Sequence, residues 1–293
     1  MVVVYAADLH GIRDLYGELF DLAGQMRAQA VIVGGDILPI HGPFQYSIQE
    51  QEDFIFEFLA PSLESFLSRS PGVTFYTMLG NDDWQASLTH LRILAEKGLL
   101  RQLHAERHIL TDGYDVIGYA HVPPTPFTIK DGERRDRRKE MSQAQRCTAC
   151  RSQGGRIVAV DPYQHFAGLK SIEEELEQLP APQNPRKGVY VMHSPPSRTK
   201  LDRMADGRWI GSRAIREFIE RHQPYLTLHG HIHESPEVSG AYLDRIGSTV
   251  CINPGQSREE LYAVVFQLEN VAGTVEHTVF GRAAGQGAGS SVT

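Results

Sequence analysis

The chain's 293 residues, 41% hydrophobic and 22% charged, have the make-up of a globular protein with a sizeable core and exclude a wholly disordered chain. A net charge of −7 argues against a general nucleic-acid binder, whose phosphate contacts need clustered Lys and Arg. It leaves a small phosphorylated substrate open, because bound divalent cations reverse the local charge of an acidic site.

The opening run Val2-Val3-Val4-Tyr5-Ala6 predicts a strand that meets Asp8 and His10. Leu15, Leu19, Leu22 and Met26 recur at helical spacing, and Val31-Ile32-Val33 predicts a second strand running into Gly34-Gly35-Asp36. Phe54, Phe58, Leu63 and Phe66 mark a second helix, residues 73–78 a third strand ending in Gly80-Asn81-Asp82-Asp83, and residues 85–97 a third helix. This alternation predicts right-handed crossovers and a parallel start to the sheet.

From 123 to 186 proline, charge and polar residues dominate around one amphipathic segment at Leu169, Ile172, Leu176 and Leu179. A structureless loop of that length is unusual, so residues 123–187 are expected to form an inserted, cap-like segment. Val189-Tyr190-Val191-Met192 then runs into His193, and residues 225–228 into His229-Gly230-His231-Ile232-His233. Residues 245–252, 261–268 and 274–280 are strand-like, with a hairpin turn expected at 270–273 and antiparallel pairing overall. The glycine-rich 281–293 is expected to be a flexible tail, leaving 1–280 as the folded domain. No run reaches the roughly 18 apolar residues of a membrane span. With no secretory leader before the first strand and only three cysteines, a cytoplasmic location is expected.

The carboxyl ends of the strands in an open α/β sheet form its ligand-binding edge, and here they end repeatedly in Asp, Asn and His. These are the oxygen and imidazole donors that first-row divalent metals favour. A single Gly-Asp or Gly-Asn pair is an ordinary turn, but coincidence is a poor account of the ordered set.

Asp8-Leu9-His10, Gly35-Asp36, Gly80-Asn81-Asp82-Asp83, the lone His193 and Gly230-His231-Ile232-His233 together resemble the motifs of the calcineurin-like metallophosphoesterase superfamily, and they span most of the chain. The resemblance implies an α/β, four-layer α-β-β-α sandwich, two mixed sheets face to face with helices outside. It implies two divalent ions, Mn, Fe or Zn, one held by Asp8, His10 and His233 and the other by Asn81, His193 and His231, with Asp36 bridging. The implied activity is hydrolysis of a phosphate ester by hydroxide generated on the metals, for which no Ser or Cys nucleophile is needed.

The chain departs from the family at one point. Many members carry His after the Asn of the Gly-Asn motif, whereas here Asp82 takes that place and Asp83 follows. Asp82 becomes the candidate general acid and Asp83 a support behind the ligands. The missing His and the acidic surroundings point to a diester. A phosphomonoesterase or phosphoprotein phosphatase, and a noncatalytic scaffold of the same fold, are the alternatives.

Among lesser signals, His229 reads as a packed structural residue, His41 and His121 as exposed ones, and Asn253-Pro254-Gly255 as a tight turn. Cys147 and Cys150 have the spacing of half a zinc ribbon but read as incidental thiols, since no second pair accompanies them. Arg134, Arg135, Arg137, Arg138 and Lys139, interspersed with acids, read as a solvated charged loop, the alternative being a phosphate entrance. Substrate choice is expected to lie in the insert.

Overall fold

The computed structural model describes residues 1–111, 113–140 and 148–282. Strands β1 (Val2–Ala6), β2 (Ala30–Val33), β3 (Thr74–Thr77) and the short β4 (Arg101–Gln102) run parallel, in that order. Helix α1 (Arg13–Gln25) links the first two. A helical run from α2 (Ser47–Asp53) through the π-helical Phe54–Leu59 into α3 (Ala60–Arg69) links the next, and α4 (Leu88–Glu96) leads to β4.

Successive side chains of a strand face opposite ways, which sorts this core into layers. Val3, Tyr5, Ala7, Ala30 and Ile32 face the second sheet, whereas Val4, Ala6, Val31 and Val33 face the helices. Burial on both faces is why these strands read as unbroken apolar runs.

The helices depart from the expected faces in detail. α1 buries Leu15, Tyr16, Leu19, Phe20 and Ala23, while Met26 lies beyond its last turn and is 45% exposed. Residues 85–87 form a 3-10 turn, so α4 begins only at Leu88.

The second sheet holds β5 (Arg107–Thr111) and β6 (Tyr114–Tyr119) from before the insert. The insert itself carries a separate hairpin of β7 (Cys150–Gln153) and β8 (Arg156–Ala159), then the short helices α5 (Pro162–Ala167) and α6 (Ile172–Leu176). The sheet continues with β9 (Gly188–Met192), then, after α7 (Arg213–His222), β10 (Leu226–Leu228), and finally β11 (Leu243–Ile246) and β12 (Thr249–Ile252), in the order β11-β12-β10-β9-β6-β5. β12, β10, β9 and β6 are parallel and the edges β11 and β5 antiparallel. The run at 245–252 is thus two strands, turned at Gly247 (φ 61°).

α6 and α7 cover the outer face of this sheet over Ile117, Tyr119, Tyr190, Met192 and Cys251, completing the expected α-β-β-α sandwich. The chain returns to the first sheet as β13 (Ala263–Gln267), antiparallel to β1, followed by the two-residue β14 (Glu276–His277) and β15 (Gly281–Arg282). The hairpin turn expected at 270–273 is instead a short helix, Val271–Thr274, because Asn270 Oδ1 accepts the Gly273 N–H as an N-cap. Gly281 and Arg282 pair in the sheet, and the rest of the expected tail, 283–293, lies outside the described residues.

Much of the 123–187 segment is bound into the body. The β7–β8 hairpin packs beside Trp84, and a buried Lys130–Glu133 ion pair (2.9 Å) sits below it. Asp136 accepts the Ser212 hydroxyl (2.5 Å) and the Arg213 N–H (2.8 Å), so the insert caps the start of α7. No helix among the described residues is long and apolar enough to cross a membrane.

Candidate metal centre

The loops leaving β1, β2, β3, β9 and β10 meet at one edge because backbone hydrogen bonds lace them together. Asp8 N–H donates to Gly35 O (3.0 Å) and His10 N–H to Asp36 O (2.8 Å), aligning the first two loops. Gly230 N–H donates to His193 O (2.9 Å), aligning the two on the other sheet. Between the sheets, His231 N–H donates to the Asp8 carboxylate (2.9 and 3.1 Å) and His193 Nδ1 bonds Gly34 O (2.8 Å).

Asp8 (φ 58°), His10 (44°), Asp36 (49°) and His231 (67°) occupy the left-handed backbone region, at a cost of about 1–2 kcal/mol per residue. Such strain concentrates at working sites, and here it turns each side chain off its strand toward the shared edge. Two glycines make room for the crossing carboxylates. A β-carbon at Gly80 would lie 2.2 Å from Asp36 Oδ1, and one at Gly230 2.5 Å from Asp8 Oδ2.

The ligand atoms of Asp8, His10 and His233 converge within 4.8 Å of one another, as do those of Asp36, His193 and His231 and those of His10, Asp36 and Asp82. His10 Nε2 and His233 Nε2 stand only 3.3 Å apart, and His233 Nε2 is 3.4 Å from Asp8 Oδ1. Asn81 joins the group through Asp82, donating Nδ2–H to Asp82 Oδ1 (3.0 Å), while Asp82 N–H donates to Asp36 Oδ1 (2.7 Å).

This donor set fits divalent cations. Asn81 Oδ1 is buried with no hydrogen-bond partner among the described residues, a state that costs roughly 1–3 kcal/mol, and the buried His193 Nε2 likewise lacks a hydrogen bond, with only the charges of nearby carboxylates beside it. Asp36 Oδ2 lies 3.2 Å from His193 Nε2 without hydrogen-bond geometry. With Asn81 Nδ2 held by Asp82 and His193 Nδ1 by Gly34, the free atoms are the ones each residue would present to a metal.

The electrostatics reflect tight packing of opposite charges. Burial alone would hold His193 down, but Asp36 and Asp8 outweigh it and raise its pKa to about 9. Burial resists ionisation of Asp36 and Asp8 as well, yet their histidine neighbours hold both below the usual carboxylate range. Burial dominates at His231, lowering it to about 3. Burial, reinforced by the Asp36 charge, pushes Asp82 up to about 7 and Asp83 up to about 8, with three backbone N–H donors pulling Asp83 the other way.

Asp83 does not face the converging ligands. Its carboxylate accepts the N–H groups of Ile37 (3.0 Å), Leu38 (2.9 Å) and Gly80 (2.8 Å), binding the loop of Asp36 to that of Asn81. His229 is fully buried, with Nδ1 against the carbonyls of Met192 and Ser194 and Nε2 against Thr227 Oγ1. His41 is exposed.

Two expectations need correction. His121 is buried, not exposed, its Nδ1 bonding Glu175 (2.7 Å) and its Nε2 facing Arg134 (3.1 Å). The 134–139 run is solvated only at its end, where Arg138 and Lys139 are exposed as expected, and its earlier arginines are bound to the body. Arg134 also binds Glu175, Arg135 bonds the carbonyls of Phe166 and Leu169, and Arg137 and Arg138 pair with Glu217 and Glu174. Intramolecular carboxylates and carbonyls engage these guanidinium groups because the insert folds back on the body, although Arg137 Nε is buried without a hydrogen-bond partner among the described residues.

The turn expected at 253–255, which the family resemblance places near the metal edge, has a further role: the Asn253 amide reaches the carbonyls of Leu201, Gly230 and Ile232 (3.0–3.3 Å), fixing the loop of His231. Gln256 similarly bonds Ala7 O (2.9 Å), beside Asp8. Cys147 lies outside the described residues, and Cys150 is a buried free thiol in β7.

A family model for calcineurin-like phosphoesterases matches residues 1–235. One crystal structure is similar with a TM-score of 0.61 at 18% identity, over 94% of this chain and 97% of its own. That of TT1561 of Thermus thermophilus is similar with a TM-score of 0.55 at 13% identity, over 94% and 97%. A dimetal phosphatase from Danio rerio gives 0.49 at 10% identity, over 90% and 91%. The first two likenesses show the fold. No curated protein matches this chain.

Proposed function

The chain belongs to the calcineurin-like phosphoesterase family and is a hydrolase, and we propose that it cleaves a phosphodiester at a centre of two divalent cations of the Mn, Fe or Zn type. Asp8, His10 and His233 would hold one ion, Asn81, His193 and His231 the other, and Asp36 would lie between them. When bound, such a pair supplies Lewis acidity and ionises water near neutral pH. The observation that carries the reading is the meeting of three carboxylates and four imidazoles around the buried Asn81 Oδ1 and His193 Nε2, neither of which has a hydrogen bond among the described residues.

The chain's own residues prepare the rest. Gly34 O orients the His193 ring, and Asp82 orients the Asn81 amide. Asp82 faces the space shared by His10 and Asp36, from which its carboxyl can hold or give a proton at the ester's leaving oxygen. His233, with 39% of its side chain exposed, marks the side from which substrate enters. The diester is favoured because Asp82 stands where many family members carry His. The free, buried Cys150 and Cys251 suit a reducing compartment such as the cytoplasm.

The test compares bis(p-nitrophenyl) phosphate with p-nitrophenyl phosphate, on chelator-treated protein and after manganese is restored. Metal-dependent cleavage with higher kcat/KM for the diester is expected. A monoester preference reverses the substrate assignment, and failure to cleave either ester supports the scaffold alternative.

A further inference from the structure

The chain leaving His193 forms a flap whose exposed side chains the metal centre does not use. Ser212 N–H donates to Pro195 O and Ser197 N–H to Ser212 O, 2.9 Å each, so the segment between them leaves the edge and returns to it. Fully buried Asp202 closes the neck by accepting the N–H groups of Arg198 (2.9 Å), Thr199 (2.8 Å) and Gly211 (3.1 Å). Beyond it, Met204 N–H donates to Arg208 O (2.9 Å) and Ile210 N–H to Asp202 O (3.2 Å), giving a short, fixed hairpin.

This hairpin is fastened beside the metal edge. Arg203 N–H donates to Ser235 Oγ (3.2 Å), and that hydroxyl donates to Lys200 O (2.8 Å). Ser235 follows the partly open His233 by two residues. On the hairpin, the Arg203 guanidinium stands 5.1 Å from the Trp209 ring centroid, and Trp209 is 51% exposed. Among the described residues the Arg203 guanidinium has no carboxylate partner. The guanidinium lies over one face of an indole that is otherwise half open to water, so an aromatic surface and a positive charge without a carboxylate partner among the described residues stand together.

We infer that Arg203 and Trp209 form the subsite for the alcohol that stays on the phosphate when the ester is cleaved, and that this alcohol carries a planar aromatic ring such as the base of a nucleotide. The ring stacks on Trp209 while the guanidinium lies toward the anionic phosphate. Nucleobases suit such a platform because each presents a π-face, whereas a small alkyl group covers little of the indole. This inference deepens the phosphodiesterase reading and rests on it, and the two can fail separately.

Two substrates with one leaving group make the test, the p-nitrophenyl esters of thymidine 5′-phosphate and of methyl phosphate, assayed with the manganese-loaded full chain. The parent is expected to favour the nucleoside ester by roughly tenfold or more in kcat/KM, chiefly through KM, as one stacked base supplies. Trp209→Ala should bring that ratio near one, and Trp209→Phe should keep most of it. A parent without preference, or the same ratio in Trp209→Ala, overturns the inference.

If neither ester is cleaved, the phosphodiesterase reading falls and binding decides the subsite alone. The other tryptophan, Trp84, is fully buried, so saturable quenching of fluorescence by thymidine 5′-monophosphate, absent in Trp209→Phe, supports the subsite. No saturable quenching overturns it.

Discussion

Replacing Asp83 with alanine removes a carboxylate that ties the Asp36 loop to the Asn81 loop. Three buried N–H groups, on Ile37, Leu38 and Gly80, lose their acceptor. At the low end of about 1 kcal/mol for each stranded donor, the loss is about 3 kcal/mol. For a chain of this size that lowers Tm by roughly 5–10 °C, measured by calorimetry on the metal-free protein.

The geometry also predicts a graded response. Oδ2 accepts from both Ile37 and Gly80, and Oδ1 only from Leu38. Asp83→Asn, with its carbonyl in the Oδ2 position, keeps two bonds and should cost about a third as much, near 1 kcal/mol. Manganese affinity, measured by titration calorimetry, should fall about 10- to 100-fold in Asp83→Ala as the candidate ligands it braces loosen. A Tm within 2 °C of the parent, or equal losses in the two variants, would refute the account of what this side chain does.

Asp36→Asn and His193→Ala should each abolish metal-dependent cleavage of bis(p-nitrophenyl) phosphate while far-UV circular dichroism stays that of the parent; parent-like rates in either remove it from the ligand set. Asp82→Ala frees the Asn81 amide to rotate and should weaken manganese binding by about tenfold, a result read by titration and contradicted by an unchanged isotherm. Burial opposes ionisation of Glu175, but hydrogen bonds from His121 and Tyr119 and the charge of Arg134 hold its pKa at about 2. Its folded pKa lies below the unfolded value near 4.5, so its contribution is complete above that pH and is lost as pH falls toward 2. The parent's stability advantage over Glu175→Gln should therefore be about 2 kcal/mol at pH 7 after allowing for solvent screening and shrink below pH 4.5; a difference independent of pH contradicts it.

The sheet cores were legible because central parallel strands are buried on both sides, so Val2 to Ala6 and Val189 to Met192 stand out as apolar runs and the polar residue closing each is conspicuous. The convergence of Asp8, Asp36 and His193 follows from strand direction. What was hidden depends on contacts distant in sequence. Nothing near Asp83 announces Leu38, and nothing near Asn253 announces Leu201. His121 is polar and follows a strand, which suits an exposed end as well as the buried pocket that Glu175 and Arg134 complete. Asn270 with Gly273 satisfies the chemistry of a turn and of a helix cap equally, and only the return path of β14 decides between them.

The bond from Asp136 to the first turn of α7 has a consequence for how the molecule breathes. Ser212 gives its hydroxyl to Asp136 and its N–H to Pro195 at the neck of the flap. One serine is thus a joint among the insert, the outer helix and the hairpin that carries Trp209, and fraying at any of the three releases the others. Amide protons in these stretches should consequently exchange with solvent as a single cooperative unit, although the stretches lie more than seventy positions apart.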